Sequence, residues 1–329
     1  MDERGLLDLM ITRLPGLSFP ERISLCESCV AEPDLIQKTQ SDVENIIGRK
    51  LKAFWSIDKI LRMAQKDAQA AALRGINWVS WQNTAYPPLL REVYDPPVLL
   101  FYKGRLPDPH VPLVAMVGTR KPSSQAAAQA YDIARGLGRS GISVVSGLAI
   151  GIDAMAHRGN IDGGAPTIAV LGSAVDEVYP SSNRALAHRI LEMGGALISE
   201  YSPGTRPRKW TFPARNRIVS GMCRGVLIVE APQKSGALIP ARFAIDQNRD
   251  LWVASVGAEC GEGRFDRRGT AALAADGAGT VYSASDILEA WNMEAPRVTP
   301  EAEEGHGLAT SLAHSLGIAI ETHEEKTRR

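Results

Sequence analysis

From Leu113 onward the chain alternates short apolar runs with longer segments of helical pattern. The runs fall at residues 113–117, 142–145, 167–171, 196–198, 226–229 and 251–254. Each has the length of a strand, and none shows the in–out alternation of a strand with one wet face. Strands that are apolar throughout need cover on both faces. Segments 123–139, 153–161, 183–193, 213–222 and 236–248 supply that cover as helices. The reading is an α/β fold: a Rossmann-like domain over residues 113–293 with a mostly parallel sheet. Tyr282 and residues 284–291 add an edge element.

The chain before this domain has a different character. Residues 1–75 read as helices. Segments 5–14 and 19–30 repeat apolar residues three and four apart. A longer segment, 53–73, sets Phe54, Ile57, Ile60, Leu61, Ala64 and Ala68 on one side. The turn Leu14-Pro-Gly-Leu17 reads either as a plain helix–helix turn or as a helix-hairpin-helix turn whose amides hold a phosphate. Between 76 and 112, Trp78, Trp81, Tyr86, Tyr94, Phe101 and Tyr102 fall among Pro87, Pro88, Pro96, Pro97, Pro107 and Pro109. This stretch is expected to be a connector that packs aromatics between units, with a short strand at 98–102. Residues 294–329 form an acidic tail, with Leu308, Leu312 and Leu316 spaced for a short helix and a disordered end.

Four cysteines are too few and too scattered for a secreted disulfide framework. Cys26 and Cys29 have CxxC spacing but no second pair to complete a zinc site, so ordinary thiols are expected and no metal. The first residues do not read as a signal peptide, and no apolar run is long enough to span a bilayer. A cytoplasmic location is the expectation.

The chain balances 37 basic against 37 acidic residues. A nucleic-acid site must therefore be local. Residues 203–224 hold Arg206, Arg208, Lys209, Arg215, Arg217 and Arg224 and no Asp or Glu. Trp210 and Phe212 stand among those charges. Cations neutralise phosphates, and aromatic faces stack on unpaired bases, which favours single strands over duplex. The alternative is a solvated basic loop with both aromatics tucked into the core.

Open parallel sheets bind ligands at the carboxyl ends of their strands. The residues there are Gly118-Thr119-Arg120, Ser146-Gly147, Gly172-Ser173, Ser199-Glu200-Tyr201 with the basic segment, and Glu230 followed by Lys234-Ser235-Gly236. Glycine turns at helix starts, with Arg120 and Lys234 in reach, read as phosphate sites. There is no Walker A loop and no GxGxxG string, so neither ATP nor NAD is expected. Asp153 and His157 lie one helical turn apart, as an acid/base or metal pair or as an internal Asp–His bond. Glu200 and Glu230 read either as general base or nucleophile or as anchors for Arg215 or Arg217; anchoring is favoured. No Ser–His–Asp or Cys–His arrangement is visible.

The loops together spell out a pattern. Gly118-Thr-Arg120, Val145-Ser-Gly-Leu-Ala-Ile-Gly-Ile-Asp-Ala-Met-Ala-His157, Thr167-Ile-Ala-Val-Leu-Gly172, Tyr179-Pro-Ser-Ser-Asn183, Ile198-Ser-Glu-Tyr201, Phe212-Pro-Ala-Arg-Asn-Arg217 and Lys234-Ser-Gly-Ala-Leu238 resemble, in order, the motifs of the DprA (Smf) family, the DNA-processing proteins of natural transformation. The preceding helices resemble that family's sterile-alpha-motif-like domain. The resemblance implies a non-enzymatic protein that binds and protects incoming single-stranded DNA and loads the recombinase RecA, as a homodimer and without a cofactor. It also implies DNA contacts at Gly118, Thr119, Arg120, Ser146, Gly147, Lys209, Phe212, Arg215, Asn216, Arg217, Lys234, Ser235 and Gly236. The chain departs from the pattern at Pro240, where the family has Thr, and in the stretches 248–257 and 269–274. The tail is also shorter than the winged-helix domain that ends many members.

The competing reading is a nucleotide-binding Rossmann-like protein, or a nucleoside-monophosphate phosphoribohydrolase. The Pro-Gly-Gly-x-Gly-Thr-x-x-Glu loop of those enzymes is absent. Gly277-Ala-Gly-Thr280 is its nearest counterpart, with Ser283 in the place of the Glu.

Overall fold

The structure, a computed structural model, describes residues 3–52, 54–259 and 265–293. The acidic tail expected over 294–329 lies outside the described residues. Among the described residues, nine strands form one sheet: β1 (Asn77–Ser80), β2 (Leu99–Gly104), β3 (Val114–Val117), β4 (Val144–Ser146), β5 (Ile168–Val170), β6 (Ala196–Ser199), β7 (Gly225–Ile228), β8 (Asp250–Ala254) and β9 (Gly279–Val281). Their order is β1-β2-β6-β5-β4-β3-β7-β8-β9. The seven strands from β6 to β9 run parallel. The chain winds outward from β3 through β4 and β5 to β6, then returns to the other side of β3 as β7. The order therefore reverses between β3 and β7, where α/β sheets open a crevice.

Side chains of successive strand residues point to opposite faces, and both faces are filled. Val114 and Met116 pack with Ala130, Tyr131 and Leu137 of the helix Ser124–Arg139. Ala115 and Val117, one residue out of phase, pack with Ile218 and Val219 of the helix Thr211–Gly221. This double burial is why the strands carry no polar alternation. The helix Ser124–Arg139 starts at Ser123, whose hydroxyl accepts from the Ala126 amide at 3.1 Å and satisfies one orphan donor.

The sheet begins earlier than the expected domain start at 113. β1 pairs antiparallel with β2, and β2 pairs antiparallel with β6. Residues 76–112 thus supply two strands as well as the aromatic packing. Phe101, 2% exposed, lies on β2 and packs into the core of the N-terminal helices, as does Trp78 beside it at 6.5 Å. Burying such a ring contributes about 1.5–3 kcal/mol. A four-residue strand holding Asn77 and Ser80 is too short to show periodicity, so β1 is silent in the sequence.

Among the described residues, five helices form the N-terminal unit: Glu3–Arg13, Phe19–Ser28, Glu32–Ile36, Gln40–Ile47 and Ile57–Leu73. Two of them, Glu32–Ile36 and Gln40–Ile47, are too short for a periodic signal. The Leu14-Pro-Gly-Leu17 turn is tied down through its carbonyls. Arg22 donates to Leu14 O at 2.9 Å, and Arg49 donates to Gly16 O at 2.7 Å. Cys26 and Cys29 are buried among these helices, and burial pushes the Cys29 thiol up. Arg74 bridges the unit to the sheet domain through Asp176 at 3.0 Å. Among the described residues, no helix is long and apolar enough to cross a membrane.

Candidate nucleic-acid interface

The loop after β3 lies at the reversal point. The Thr119 amide donates to the Glu230 carbonyl at 2.8 Å, joining the ends of β3 and β7. The Glu230 carboxylate, 1% exposed, accepts from the Ser123 amide at 2.7 Å and from Arg267 Nε at 2.8 Å. Glu230 is an anchor, but its cation is Arg267, not Arg215 or Arg217. Gly118 and Thr119 are half-buried, while Arg120 reaches solvent.

Ser146 and Gly147, after β4, are buried. Ser146 Oγ donates to the Met116 carbonyl at 2.6 Å. The amides of Gly147 and Ala149 donate to Asp153 Oδ2 at 3.1 and 3.3 Å. Burial pushes the Asp153 carboxyl up; the Arg215 guanidinium and the two amides oppose that shift. His157 turns away from Asp153. Its Nδ1 lies 2.8 Å from Thr167 Oγ1, which itself donates to the Val144 carbonyl at 2.7 Å. Nδ1 is therefore the donor, and the imidazole is neutral. Burial, then Arg215 and Arg158, brings its pKa down to about 3. Among the described residues, no group of three His, Cys, Asp or Glu side chains is arranged to hold a metal.

Thr211 pins the middle of the basic segment. Thr211 is fully buried, and its hydroxyl donates toward the Gly172 carbonyl at the end of β5. The same oxygen accepts from the Arg208 amide at 3.2 Å. Arg206, Arg208, Lys209 and Trp210 remain exposed around that pin. The helix begins at Thr211, two residues before the expected start at Pro213. A proline in the first turn lacks an N–H that would have no partner there anyway, so the turn closes around it. Phe212 thus lies in the first helical turn. Its ring is half-buried against Gly172, where a Cβ would stand 2.9 Å from Cδ1. The Tyr179 ring lies 5.6 Å away, and the Arg120 guanidinium lies 5.9 Å over the Phe212 ring. Trp210, 59% exposed, meets Tyr201 edge-on at 6.1 Å.

The three residues that follow on this helix do not act alike. Arg215 is only 6% exposed and donates to the Val170 carbonyl at 2.7 Å. Asn216 is half-buried. Arg217 forms a bidentate pair with Glu200 at 2.8 and 2.7 Å and donates to the Asp95 carbonyl at 2.9 Å. Burial pulls its guanidinium down, and the Glu200 carboxylate more than restores it, for a net upward shift. Expected as DNA contacts from the resemblance and as partners of Glu200 from the strand ends, Arg215 and Arg217 have their charges turned inward or paired, on different faces because they stand two apart on a helix. Lys234, by contrast, is exposed on the turn after β7. Ser235 Oγ caps the Ala237 amide at 3.1 Å, and the space beside Gly236 is open.

The structure brings Arg120 and Phe212 together, and Gly147 and Arg215. It adds residues that were not expected as DNA contacts: Tyr179 and Tyr201 beside the two aromatics, Asp153 under the second turn, and Asn183, whose side chain donates to the Leu148 carbonyl at 2.9 Å. Tyr179, Asn183 and Tyr201 stand inside motifs quoted above, but a motif does not say which of its residues face a ligand.

Fold and edge together define a Rossmann-like α/β protein whose crevice amides are taken by its own carboxylates and whose rim carries exposed cations and aromatics. Residues 77–292 match the family model of DNA recombination-mediator protein A, and the chain belongs to that family. It is 42% identical over 206 residues to DNA processing protein DprA of Streptococcus pneumoniae, covering 63% of this chain and 71% of that protein. It is 46% identical over 171 residues to protein Smf of Synechocystis, covering 51% of this chain and 43% of that one. The crystal structure of the Streptococcus pneumoniae protein superposes with a TM-score of 0.66 at 33% identity, over 87% of this chain and 94% of that one. DNA processing protein A of Helicobacter pylori, described for its single-stranded DNA binding mode, superposes with a TM-score of 0.56 at 27% identity, over 65% and 95%.

Proposed function

We propose that this chain is a non-enzymatic single-stranded DNA-binding protein that protects incoming strands and loads RecA onto them, as a cytoplasmic homodimer without a cofactor. The observation that carries the reading is the rim made by Arg120, Lys209, Trp210 and Phe212, in which cations and aromatic rings alternate around one helix start. Lys234 extends the cationic side across β7. Phosphates pair with the cations while unpaired bases stack on Trp210, Phe212 and the neighbouring Tyr179. Duplex hides its base faces and leaves the aromatics without a partner. The Helicobacter pylori relative supports the single-stranded substrate; RecA loading and dimerisation rest on the family resemblance.

Labelled oligonucleotides of matched length, single against double stranded over a salt series, test the reading. Single strands are expected to bind far more tightly, with a log–log salt slope of about −0.7 per phosphate contacted. Equal affinity for blunt duplex overturns it. Earlier onset of RecA ATPase activity on strands coated with single-strand-binding protein tests loading, and sedimentation at micromolar concentration tests the dimer. The nucleotide reading is disfavoured by Asp153 and Glu230, which occupy amides a nucleotide phosphate would use. Release of adenine from AMP would restore it.

A further inference from the structure

We propose that Asp153 and Arg215 are two buried positioning residues that hold Gly147 from different sides, and so set the turn 146–151 and through it Arg120, without either residue touching a phosphate. This deepens the single-stranded DNA reading and rests on it. Both side chains are 6% exposed. Asp153 Oδ2 takes the amides of Gly147 and Ala149. Leu148 between them is fully buried with φ at 58°, in the left-handed region. A non-glycine residue holds that conformation only where its surroundings over-determine it. Asp153 does so on one side, and Asn183, gripping the Leu148 carbonyl, does so on the other.

Arg215 closes the turn from above. Its Nη1 is anchored on Val170 O, and a Cβ at Gly147 would overlap the guanidinium. The turn in turn carries the first loop. The Ile152 amide donates to the Thr119 carbonyl at 3.2 Å, and Gly118 packs directly on the Ile152 side chain. A continuous path therefore runs from Asp153 and Arg215 through Ile152 to Thr119 and Arg120. Arg215 stands where the family's motif places a DNA contact, yet its guanidinium is buried against Gly147 and donates to the Val170 carbonyl. Asp153 in turn supplies, from within the chain, the anion that the Gly147 turn would otherwise take from a ligand.

The test uses Asp153→Asn with Arg215→Met in one protein. This exchange leaves the net charge unchanged and strands no buried ion, the condition under which such replacements are tolerated. Affinity for a labelled single strand is expected to fall by about tenfold or more, as when hydrogen bonds to charged groups are lost. Made in an Arg120→Ala background, the same exchange is expected to leave that background's salt slope unchanged. Arg120→Ala, measured alongside, should shallow the slope by about 0.7, one phosphate's worth. A further shallowing by that amount when the exchange is made in the Arg120→Ala background makes Arg215 a phosphate contact and overturns the proposal. So does wild-type affinity in a folded double variant. Amide exchange on the wild-type protein without DNA is the second measurement. Gly147 and Ala149 should be protected before any strand is added, and fast exchange there overturns the proposal independently of any variant's folding. Should the wild-type protein bind no single strand at all, the functional reading fails, while the exchange result still decides whether the turn is held as described.

Discussion

The Arg120 guanidinium lies over the Phe212 ring, 5.9 Å from its centroid, and so links the loop after β3 to the start of a helix far along the chain. An arginine held this way presents its remaining donors in one direction. Arg120→Ala and Phe212→Ala are each expected to cost about 1–3 kcal/mol of single-strand affinity. In the double variant the losses should fall short of their sum by about 0.5–1 kcal/mol, the size of an exposed cation–π contact. Anisotropy titrations of the four proteins measure the cycle, and strict additivity would mean that ring and cation act separately.

Phe212 and Trp210 should separate by stability. Trp210 is mostly exposed, so Trp210→Ala should keep its melting temperature while losing about 1–3 kcal/mol of affinity. Phe212 is half-buried on Gly172 and Tyr179, so its removal should lower the melting temperature modestly. The fall should stay well short of the roughly 3–5 kcal/mol of a fully buried ring. A loss of that size, with affinity of the folded fraction intact, would make Phe212 a core residue.

Lys234→Ala and Arg217→Ala should fail in opposite ways. Lys234 is exposed, and its loss should weaken binding at unchanged stability. Arg217 holds Glu200, and the two side chains are 14% and 19% exposed. Removing the arginine leaves a mostly buried carboxylate without its partner, which should destabilise by about 1–3 kcal/mol. Paired melting and binding curves distinguish the two, and a stable Arg217→Ala protein with weakened binding would move Arg217 into the DNA surface.

His157 makes stability depend on pH. Its folded pKa lies at about 3, below the ordinary 6.5, because burial and then Arg215 and Arg158 disfavour the charged ring. The unfolded chain binds a proton in that window and the folded chain does not. Its contribution is therefore whole above about pH 6.5 and is lost progressively as pH falls toward about 3. Denaturant midpoints at pH 7.5 and pH 5 should differ, and His157→Gln should narrow that difference. An unchanged difference would place the titrating group elsewhere.

The parallel sheet was legible because its strands are apolar on both faces, a pattern that only a covered sheet requires. β1 was not legible, since four residues with polar ends carry no period. The helix Thr211–Gly221 was legible only in part. Its start depends on Thr211 finding the Gly172 carbonyl, a contact between distant residues. The same limit applies to the basic segment. Composition marks it as cationic, but which arginine faces water is decided by helix phase and by the positions of the Val170 carbonyl and Glu200. Lys209 and Arg215 are alike in the sequence and opposite in the fold.

The antiparallel pairing of β1 and β2 onto β6 settles how the sheet ends. Without it, β6 would be an open edge of fully buried character, a template for strand addition by another chain. With it, the outermost strands are β1, of four residues, and β9, of three. Edges this short offer few free backbone groups to a passing strand. Among the described residues, the sheet thus offers a second molecule little backbone along which to continue it.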